Sequence, residues 1–265
     1  MTDLFRYEFM QRAIIVGILL AIILPCIGFS IVLKRLSMIG DTLSHSSLAG
    51  VSIGLFMGFN PLLGSIIACV IAGFSIEFIR SKLKSYQEIS TVIILAASIG
   101  LAGVFSSFLS NTNSITSYLF GSIVTISDSE FYLVLGVSAF VLISYKLLYN
   151  KLYLSVFDPN AAPLIGINVK LINFAFTILS AIAISISAKT IGSLIVSSLL
   201  VIPSITAMQF TKTYKSTLIL SIFLSIGFVL TGLVLSYFYN LKPGSVIVLI
   251  AVSALMISLF IKRKE

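Results

Sequence analysis

Long apolar stretches alternate with short polar segments along the whole chain. Each apolar stretch has 16 to 21 residues, close to the length at which a helix crosses about 30 Å of hydrocarbon. Residues 171–208 are apolar except around Lys189 and are too long for one span, so the chain must turn sharply near Gly192. The pattern predicts about nine spans: Ala13–Leu33, Leu43–Phe59, Pro61–Ile79, Ile89–Leu109, Phe131–Leu148, Leu171–Ala188, Ile191–Met208, Leu218–Tyr237 and Val246–Ile261.

Composition restricts the class of protein further. Hydrophobic residues make up 58% of the chain and charged residues 10%, and the mean hydropathy is +1.14. A water-soluble domain of this size would need more polar surface. We therefore expect an all-α polytopic membrane protein with eight or nine transmembrane helices, which form a single transmembrane domain over residues 1–265.

The basic residues are unevenly distributed among the polar segments. Thirteen of the 17 lysines and arginines fall in the first, third, fifth and seventh loops and in the C-terminal tail. Cytoplasmic loops collect such residues. The distribution therefore predicts a multi-pass protein of the cell membrane with a cytoplasmic C-terminus and, given nine spans, an external N-terminus. The same bias accounts for the net charge of +8 without a nucleic-acid partner.

Asp41 and His45 are the strongest candidates for chemistry. They lie four residues apart at the start of the second predicted span, so on a helix they occupy one face, one turn apart. His45 is the only histidine in the chain. Ionisable residues within a membrane helix are costly to insert and mark functional sites. The spacing predicts a metal-binding pair, and the alternative is an intrahelical pair in which the two side chains only neutralise each other.

The rest of this helix separates into two faces. At roughly 100° per residue, Ser44 and Ser52 fall within about 60° of Asp41. Gly50, Gly54 and Gly58 fall on the opposite side, where glycines allow a neighbouring helix to approach closely. We therefore expect the helix to pack by its glycine face and to present its polar face to a cavity.

The loop that follows the fifth predicted span, residues 157–167, contains start and stop signals for a short helix. Asp158 is an N-cap acceptor, Pro159 suits the first helical position, and Gly166 suits the end. Pro163 would break a regular helix after its first turn, so we expect a short or kinked helix. The charge distribution places this segment in the cytoplasm, where it either docks on a partner or is an ordinary connector.

The predicted seventh span carries a row of serines. Ser193, Ser197 and Ser204 share one helical face, and Pro203 removes a hydrogen bond from the same helix. These hydroxyls line a pathway or bond to a neighbouring helix. The spacing alone favours the second interpretation.

Several motifs are missing from the sequence. It contains no G-x-x-x-x-G-K-[ST] phosphate loop, no H-E-x-x-H motif and no paired cysteines. We therefore expect no enzymatic activity in this chain and no bound cofactor. Two other classes remain open: a stand-alone secondary transporter or channel, and a membrane scaffold with no transport role. A secondary transporter would need coupling charges in mid-membrane, and few are present beyond Asp41.

The chain resembles the integral permeases of bacterial ATP-binding-cassette importers for zinc, manganese and iron, over about Phe9 to Phe260. Five segments carry the resemblance in order. They are Met10-Gln-Arg-Ala13, the stretch from Leu33 to Ser46 that contains Gly40-Asp-Thr-Leu-Ser-His45, Phe120-Gly121, Asp158-Pro159 with Ala162 and Gly166, and the stretch from Gly192 to Ala207.

The resemblance implies roles for particular residues. It makes Asp41 and His45 the metal ligands of the transport pathway, while helical geometry alone makes Ser44, Ser52, Ser193, Ser197 and Ser204 candidate lining residues. It makes Phe157, Asp158, Pro159, Ala162 and Gly166 the element that couples to the ATPase. Thr42, Ser46, Ala49 and Asn160 depart from the family pattern.

The resemblance also implies an assembly. A functional transporter would contain a homodimer of this chain, two copies of a cytoplasmic ATPase and an extracytoplasmic metal-binding protein. The transported ion would be zinc or manganese, or iron. A carboxylate and an imidazole suit these ions about equally, so the sequence leaves the choice open.

Overall fold

A computed structural model describes residues 8–83, 87–109, 128–158, 161–239 and 241–262 of the chain. Within these residues the fold consists of nine α-helices and one 3-10 turn, with no strand. The α-helices are α1 (Glu8–Leu33), α2 (Met38–Met57), α3 (Pro61–Lys82), α4 (Gln87–Ser107), α5 (Asp128–Phe157), α6 (Val169–Ile191), α7 (Ser193–Phe210), α8 (Tyr214–Tyr239) and α9 (Pro243–Lys262). The predicted all-α membrane fold is confirmed.

Seven of the described helices are long and apolar enough to cross a membrane: α1, α3, α4, α5, α6, α8 and α9. The apolar part of α7, Ile195–Phe210, is shorter. Helix α2 has 20 residues but is not among the seven, because Asp41, His45 and four serines dilute its apolar character. Two of the nine predicted spans, which correspond to α2 and α7, therefore depend on neighbouring helices for shielding from lipid.

The fifth predicted span, Phe131–Leu148, is too short. Helix α5 has 30 residues and ends at Phe157, so it is about 45 Å long and extends beyond a hydrocarbon layer of about 30 Å. The apolar pattern ends where the helix leaves that layer, although the helical hydrogen bonds continue. Phe157 is consequently the last residue of a helix and not part of the following loop.

Helices α1 and α6 form the centre of the bundle, since most of their membrane-crossing residues are buried. Helices α4, α5 and α9 expose most of theirs and form the periphery. Two glycines permit close crossings at the centre. A Cβ atom at Gly28 would lie 1.7 Å from the Leu200 carbonyl oxygen, and one at Gly50 would lie 2.2 Å from the Gly64 carbonyl oxygen.

The sharp turn expected near Gly192 is a one-residue connection between α6 and α7. Gly192 has φ 100° and ψ 141°, and its N–H donates to the Ala188 carbonyl oxygen. A positive φ of this kind is accessible to glycine at little cost. The connection reverses the chain and places the start of α7 beside the end of α6.

Contacts between helix ends define two sides of the bundle. On one side, the ring of Phe157 at the end of α5 lies 5.9 Å from that of Tyr214 at the start of α8. On the other side, Arg12 pairs with Asp128, and Lys189 pairs with Glu130. The helices traverse the bundle alternately, so the ends of α1, α3, α5, α7 and α9 lie on the Phe157 side.

Candidate functional site

Polar contacts hold α2 within the bundle. The hydroxyls of Ser46 and Ser98 in α4 lie 2.7 Å apart, as do those of Ser47 and Ser65 in α3. Thr42 donates to the backbone oxygen of Thr91, also in α4, over 3.2 Å. In lipid such interhelical hydrogen bonds replace the apolar contacts that hold soluble cores. Together they fix the helix that carries Asp41 and His45.

The glycine face of α2 packs as expected at two of its three positions. Gly50 lies against Gly64 of α3, and a Cβ atom at Gly54 would lie 3.0 Å from the Pro61 Cα. Gly58 has no atom within 4 Å of its Cβ position. Instead it ends α2 in the left-handed conformation, with φ 74°.

The candidate metal ligands Asp41 and His45 face each other along α2. Their Oδ1 and Nε2 atoms are 3.9 Å apart, which is beyond hydrogen-bonding range. For bonds of about 2.0–2.2 Å to a tetrahedral ion, the two ligand atoms would be separated by roughly 3.4 Å. A small side-chain rotation therefore brings both onto one ion. The exposed fractions of their side chains, 42% for Asp41 and 22% for His45, leave both accessible.

Ser197 of α7 connects the serine row with this pair. Its hydroxyl donates to Asp41 Oδ1 over 3.3 Å. The approach is possible because the first turn of α2 crosses α7 at Gly40, whose Cβ position is 3.9 Å from the Ser197 Cα. A hydrogen bond from outside the ligand set orients a carboxylate. Of the predicted pathway serines, Ser197 is the one with a direct contact to a candidate ligand.

The other predicted pathway serines are buried. The hydroxyls of Ser44, Ser193 and Ser204 have no hydrogen-bond partner among the described residues. Ser193 borders a small cavity against Ser47 of α2. Ser52 donates to the Leu48 carbonyl oxygen of its own helix. Unpartnered buried hydroxyls of this kind are uncommon in folded proteins.

One copy of the chain offers too few ligands for a closed metal site. Among the described residues, no group of three or more histidine, cysteine, aspartate or glutamate side chains could hold an ion. Zinc sites use about four donors. As ligands of a metal ion, Asp41 and His45 would therefore need further donors from water or from another chain.

The predicted coupling segment forms a compact turn after α5. The carboxylate of Asp158 accepts a hydrogen bond from the Ala161 N–H over 2.9 Å, and a 3-10 turn follows from Ala162 to Ile165. Gly166 ends it with φ 79° and donates to the carbonyl oxygens of Ala162 and Pro163. The expected helix is thus reduced to a single turn. Pro159 and Asn160 lie outside the described residues.

A charged cluster at the ends of α1 and α3 was not predicted from the sequence. Arg80 Nη1 donates to Glu77 Oε2 over 2.8 Å, and Lys34 Nζ donates to Asn173 Oδ1 over 2.6 Å. Burial lowers the pKa of Lys34 to about 8, an effect that Glu77 partly counters and Arg80 reinforces. The sequence signal was available: a glutamate and an arginine three residues apart near the end of an apolar run.

Comparison with known proteins identifies the class. A model of the ABC 3 transport family matches residues 6–262. The chain therefore belongs to the ABC 3 transport family, a family of membrane transport components, and the resemblance in the sequence is confirmed.

Particular relatives agree with this assignment. The chain is 31% identical to the high-affinity zinc uptake system membrane protein ZnuB of Haemophilus influenzae, over 98% of this chain and 99% of that protein. It is 27% identical to the manganese import system permease protein ScaB of Streptococcus gordonii, over 98% and 93%. The solved structure of PsaBC from Streptococcus pneumoniae in complex with Fab superposes with a TM-score of 0.87 at 25% identity, over 98% of this chain and 94% of that one.

Proposed function

We propose that this chain is the permease subunit of an ATP-binding-cassette importer for a divalent transition metal, and that Asp41 and His45 bind the ion during transport. The observation that carries the proposal is the 3.9 Å separation between Asp41 Oδ1 and His45 Nε2, with Ser197 on the carboxylate. A self-neutralising pair would form a direct hydrogen bond. Here the carboxylate accepts its hydrogen bond from α7 and leaves the imidazole available to an ion.

The proposed functional unit is a homodimer. Two ligands from one chain are too few to replace the hydration shell of a divalent ion, and symmetric dimers are the commonest oligomers. Two facing copies of α2 would supply two carboxylates and two imidazoles. Such a set favours transition metals over calcium and magnesium through its nitrogen donors, and without thiolates it releases the ion when the helices separate.

The identity of the ion rests on relatives. The named relatives serve zinc uptake in one case and manganese import in the other. A carboxylate and imidazole pair suits zinc, manganese and ferrous iron alike. The proposal therefore names zinc or manganese as the substrate and assigns ATP hydrolysis to a separate subunit.

The segment 157–167 is proposed to contact that ATPase. Asp158 and Gly166 hold its turn at both ends, while Leu164 is almost fully exposed and Ile165 is exposed between them. Exposed apolar side chains on a rigid turn favour docking on a protein surface. The distribution of basic residues supports a cytoplasmic position for this side of the bundle and for the C-terminus. An extracytoplasmic metal-binding protein would deliver the ion to the opposite side, and the whole chain would act as one domain.

Metal uptake in cells tests the ligand assignment. Asp41→Asn and His45→Ala are each expected to abolish zinc or manganese uptake while the dimer and the bound ATPase persist. Glu88→Gln is the matched control, because Glu88 is an exposed carboxylate on α4. Normal uptake by either ligand variant would move the pathway elsewhere, with the Ser193 to Ser204 face as the next candidate.

Co-purification tests the coupling segment and separates an importer from a channel or a scaffold. The unmodified chain is expected to retain a cytoplasmic ATPase. Asp158→Ala loses the hydrogen bond to Ala161, and Gly166→Leu places a side chain at a positive φ, so both should weaken that association. Asp158→Asn keeps an acceptor and should retain the ATPase. Full retention by the first two variants would refute this docking surface.

A further inference from the structure

A second polar site, which includes neither Asp41 nor His45, lies on the Phe157 side of the bundle. A cavity of about 370 Å³ opens between the ends of α1, α3 and α5 and the start of α6. Its polar lining consists of Lys34, Arg35, Arg80, Ser155, Asn173 and Thr177. Small-molecule sites typically measure about 300–1,000 Å³, so the cavity has the size of a ligand site.

The guanidinium of Arg80 is the least satisfied group in this cavity. Its side chain is only 9% exposed, and Nη1 donates to Glu77 Oε2 over 2.8 Å. Nε and Nη2 have no hydrogen-bond partner among the described residues. A buried arginine normally uses its fork of N–H donors. The N–H groups on Nε and Nη2, which form one edge of this fork, therefore lack an acceptor.

The charge of the cavity is unbalanced. Three cationic side chains line it, and the nearby carboxylate of Glu77 already accepts from Arg80 and, over 3.4 Å, from Thr177. The Lys34 ammonium donates to the neutral Asn173 oxygen and lies 5.0 Å from the centre of the Phe176 ring. Its lowered pKa, about 8, reflects burial that Glu77 only partly offsets.

Arg35 holds its cation at a position that usually belongs to glycine. Its φ is 56°, and it is the only non-glycine residue with positive φ in the described part of the chain. The N–H groups of Arg35 and Leu36 donate to the carbonyl oxygens of Val32 and Ile31, which is the hydrogen-bond pattern of a Schellman cap. Glycine would end α1 without this strain. Strained residues that persist in a fold often serve function.

We propose that this cavity binds a phosphate-class oxyanion, supplied by the headgroup of an anionic lipid or by free phosphate. The free Nε and Nη2 edge of Arg80 matches two oxygens of a phosphate, and Lys34 and Arg35 add charge. The site lies at the ends of membrane helices, and basic pockets between helices at the cytoplasmic surface suit lipid headgroups. That leaflet assignment rests on the orientation given under the proposed function, whereas the oxyanion chemistry does not.

Binding to the purified full chain in an uncharged detergent tests the proposal. The probes are dioctanoyl phosphatidylglycerol, dioctanoyl phosphatidylcholine and inorganic phosphate, and native mass spectrometry measures retained lipid. The expected result is retention of phosphatidylglycerol well above phosphatidylcholine, or binding of inorganic phosphate seen as competition with that lipid. Preferential retention of phosphatidylglycerol without competition by phosphate identifies a lipid headgroup as the ligand. Competition by inorganic phosphate identifies free phosphate as the ligand. Equal retention of the two lipids without phosphate competition would overturn the proposal.

Two variants locate the site without removing the fold. Arg80→Lys keeps a cation for Glu77 but loses the fork, and Arg35→Gly removes a cation while relieving the positive φ. Each is expected to weaken binding of the anionic probe by about tenfold or more, the size of a lost charge-assisted hydrogen bond. Lys212→Gln is the control, since Lys212 is exposed in the loop before α8. Unchanged binding in both variants, or an equal loss in the control, would refute the site. This binding measurement does not depend on metal uptake. The proposed oxyanion site can therefore be refuted without refuting Asp41 and His45 as metal ligands, and the reverse also holds.

Discussion

The crossing of α2 and α3 at Gly50 should be intolerant of a single methyl group. A Cβ atom there would lie 2.2 Å from the Gly64 carbonyl oxygen and 2.6 Å from the Ala68 Cβ, whereas ordinary contact begins at 3.4 Å. The oxygen belongs to the backbone and cannot rotate aside. In Gly50→Ala the helices must therefore separate by about 1.2 Å, the difference between 3.4 and 2.2 Å.

The magnitude follows from three contributions. Overpacking of a tight contact costs about 1–3 kcal/mol. Separation also stretches the 2.7 Å hydrogen bond between Ser47 and Ser65, worth about 0.6 kcal/mol on average within membranes. Alanine regains about 1 kcal/mol of helix propensity relative to glycine. The net expectation is a loss of roughly 0.6–2.6 kcal/mol, and each kcal/mol corresponds to about 2–4 °C of unfolding temperature.

The two cysteines provide the assay. Cys26 and Cys69 are buried, Cys69 completely, so a maleimide fluorophore reacts with them only as the protein unfolds. Gly50→Ala should unfold several degrees below the unmodified chain in the same detergent. Gly100→Ala is the control, since nothing lies within 4 Å of its Cβ position on α4, and it should unfold at the same temperature or higher. An unfolding temperature for Gly50→Ala equal to that of the control would refute the close crossing.

Three further predictions address other parts of the molecule. A cysteine at Asn150 should be shielded from a membrane-impermeant reagent in intact cells, because the basic loops favour a cytoplasmic position for Asn150. A cysteine at Asn113, which is outside the described residues, should react with the same reagent. NMR of methylated lysines should find Lys34 titrating near 8, and Glu77→Gln should lower that pKa further, since the Glu77 charge raises it. Tyr214→Ala should lower the unfolding temperature more than Tyr214→Phe, because the ring contacts four others, whereas Tyr214→Phe loses only the hydrogen bonds of the hydroxyl with Tyr145 and, over 3.5 Å, with Ser30.

Each of these has a result that would count against it. Reversed labelling at the two asparagines would invert the orientation. A Lys34 pKa that does not fall in Glu77→Gln would mean that the carboxylate does not raise the pKa of the ammonium. Equal unfolding temperatures for the two Tyr214 variants would assign the stabilisation to the hydroxyl instead of the ring.

The order of the helices in the described part of the chain could be predicted from hydropathy, because a lipid-facing helix must be apolar along most of its length. The residue at which α5 ends could not be predicted from hydropathy. Its last nine residues lie beyond Leu148, where the apolar signal fades but the backbone remains helical to Phe157. Helix termini outside the bilayer are set by local hydrogen bonds and caps, such as the one at Asp158, and hydropathy does not report them.

The pairing of Asp41 with His45 was visible in the sequence because both residues lie on one helix and helical geometry relates them directly. The role of Ser197 was not visible, since the contact to Asp41 joins residues 156 positions apart. It depends on how closely α7 approaches the first turn of α2, which Gly40 permits. From spacing alone, the serines of α7 are therefore expected to form hydrogen bonds between helices. The three-dimensional arrangement shows that one of them, Ser197, contacts the candidate ligand Asp41.

Helix α2, which carries the candidate site, is one of two described helices that are not long and apolar enough to cross a membrane on their own. Helix α2 is too polar to face lipid, and α3, α4, α6 and α7 surround it. Those neighbours do more than shield it, because they supply the hydroxyls that satisfy its polar face: Ser65 from α3, Ser98 from α4 and Ser197 from α7. A helix held by hydrogen bonds can exchange partners at little cost, since one hydroxyl replaces another. Transport of a charged ion requires such a surface within the membrane. The low hydropathy of α2 is therefore the property expected of the helix that lines the path.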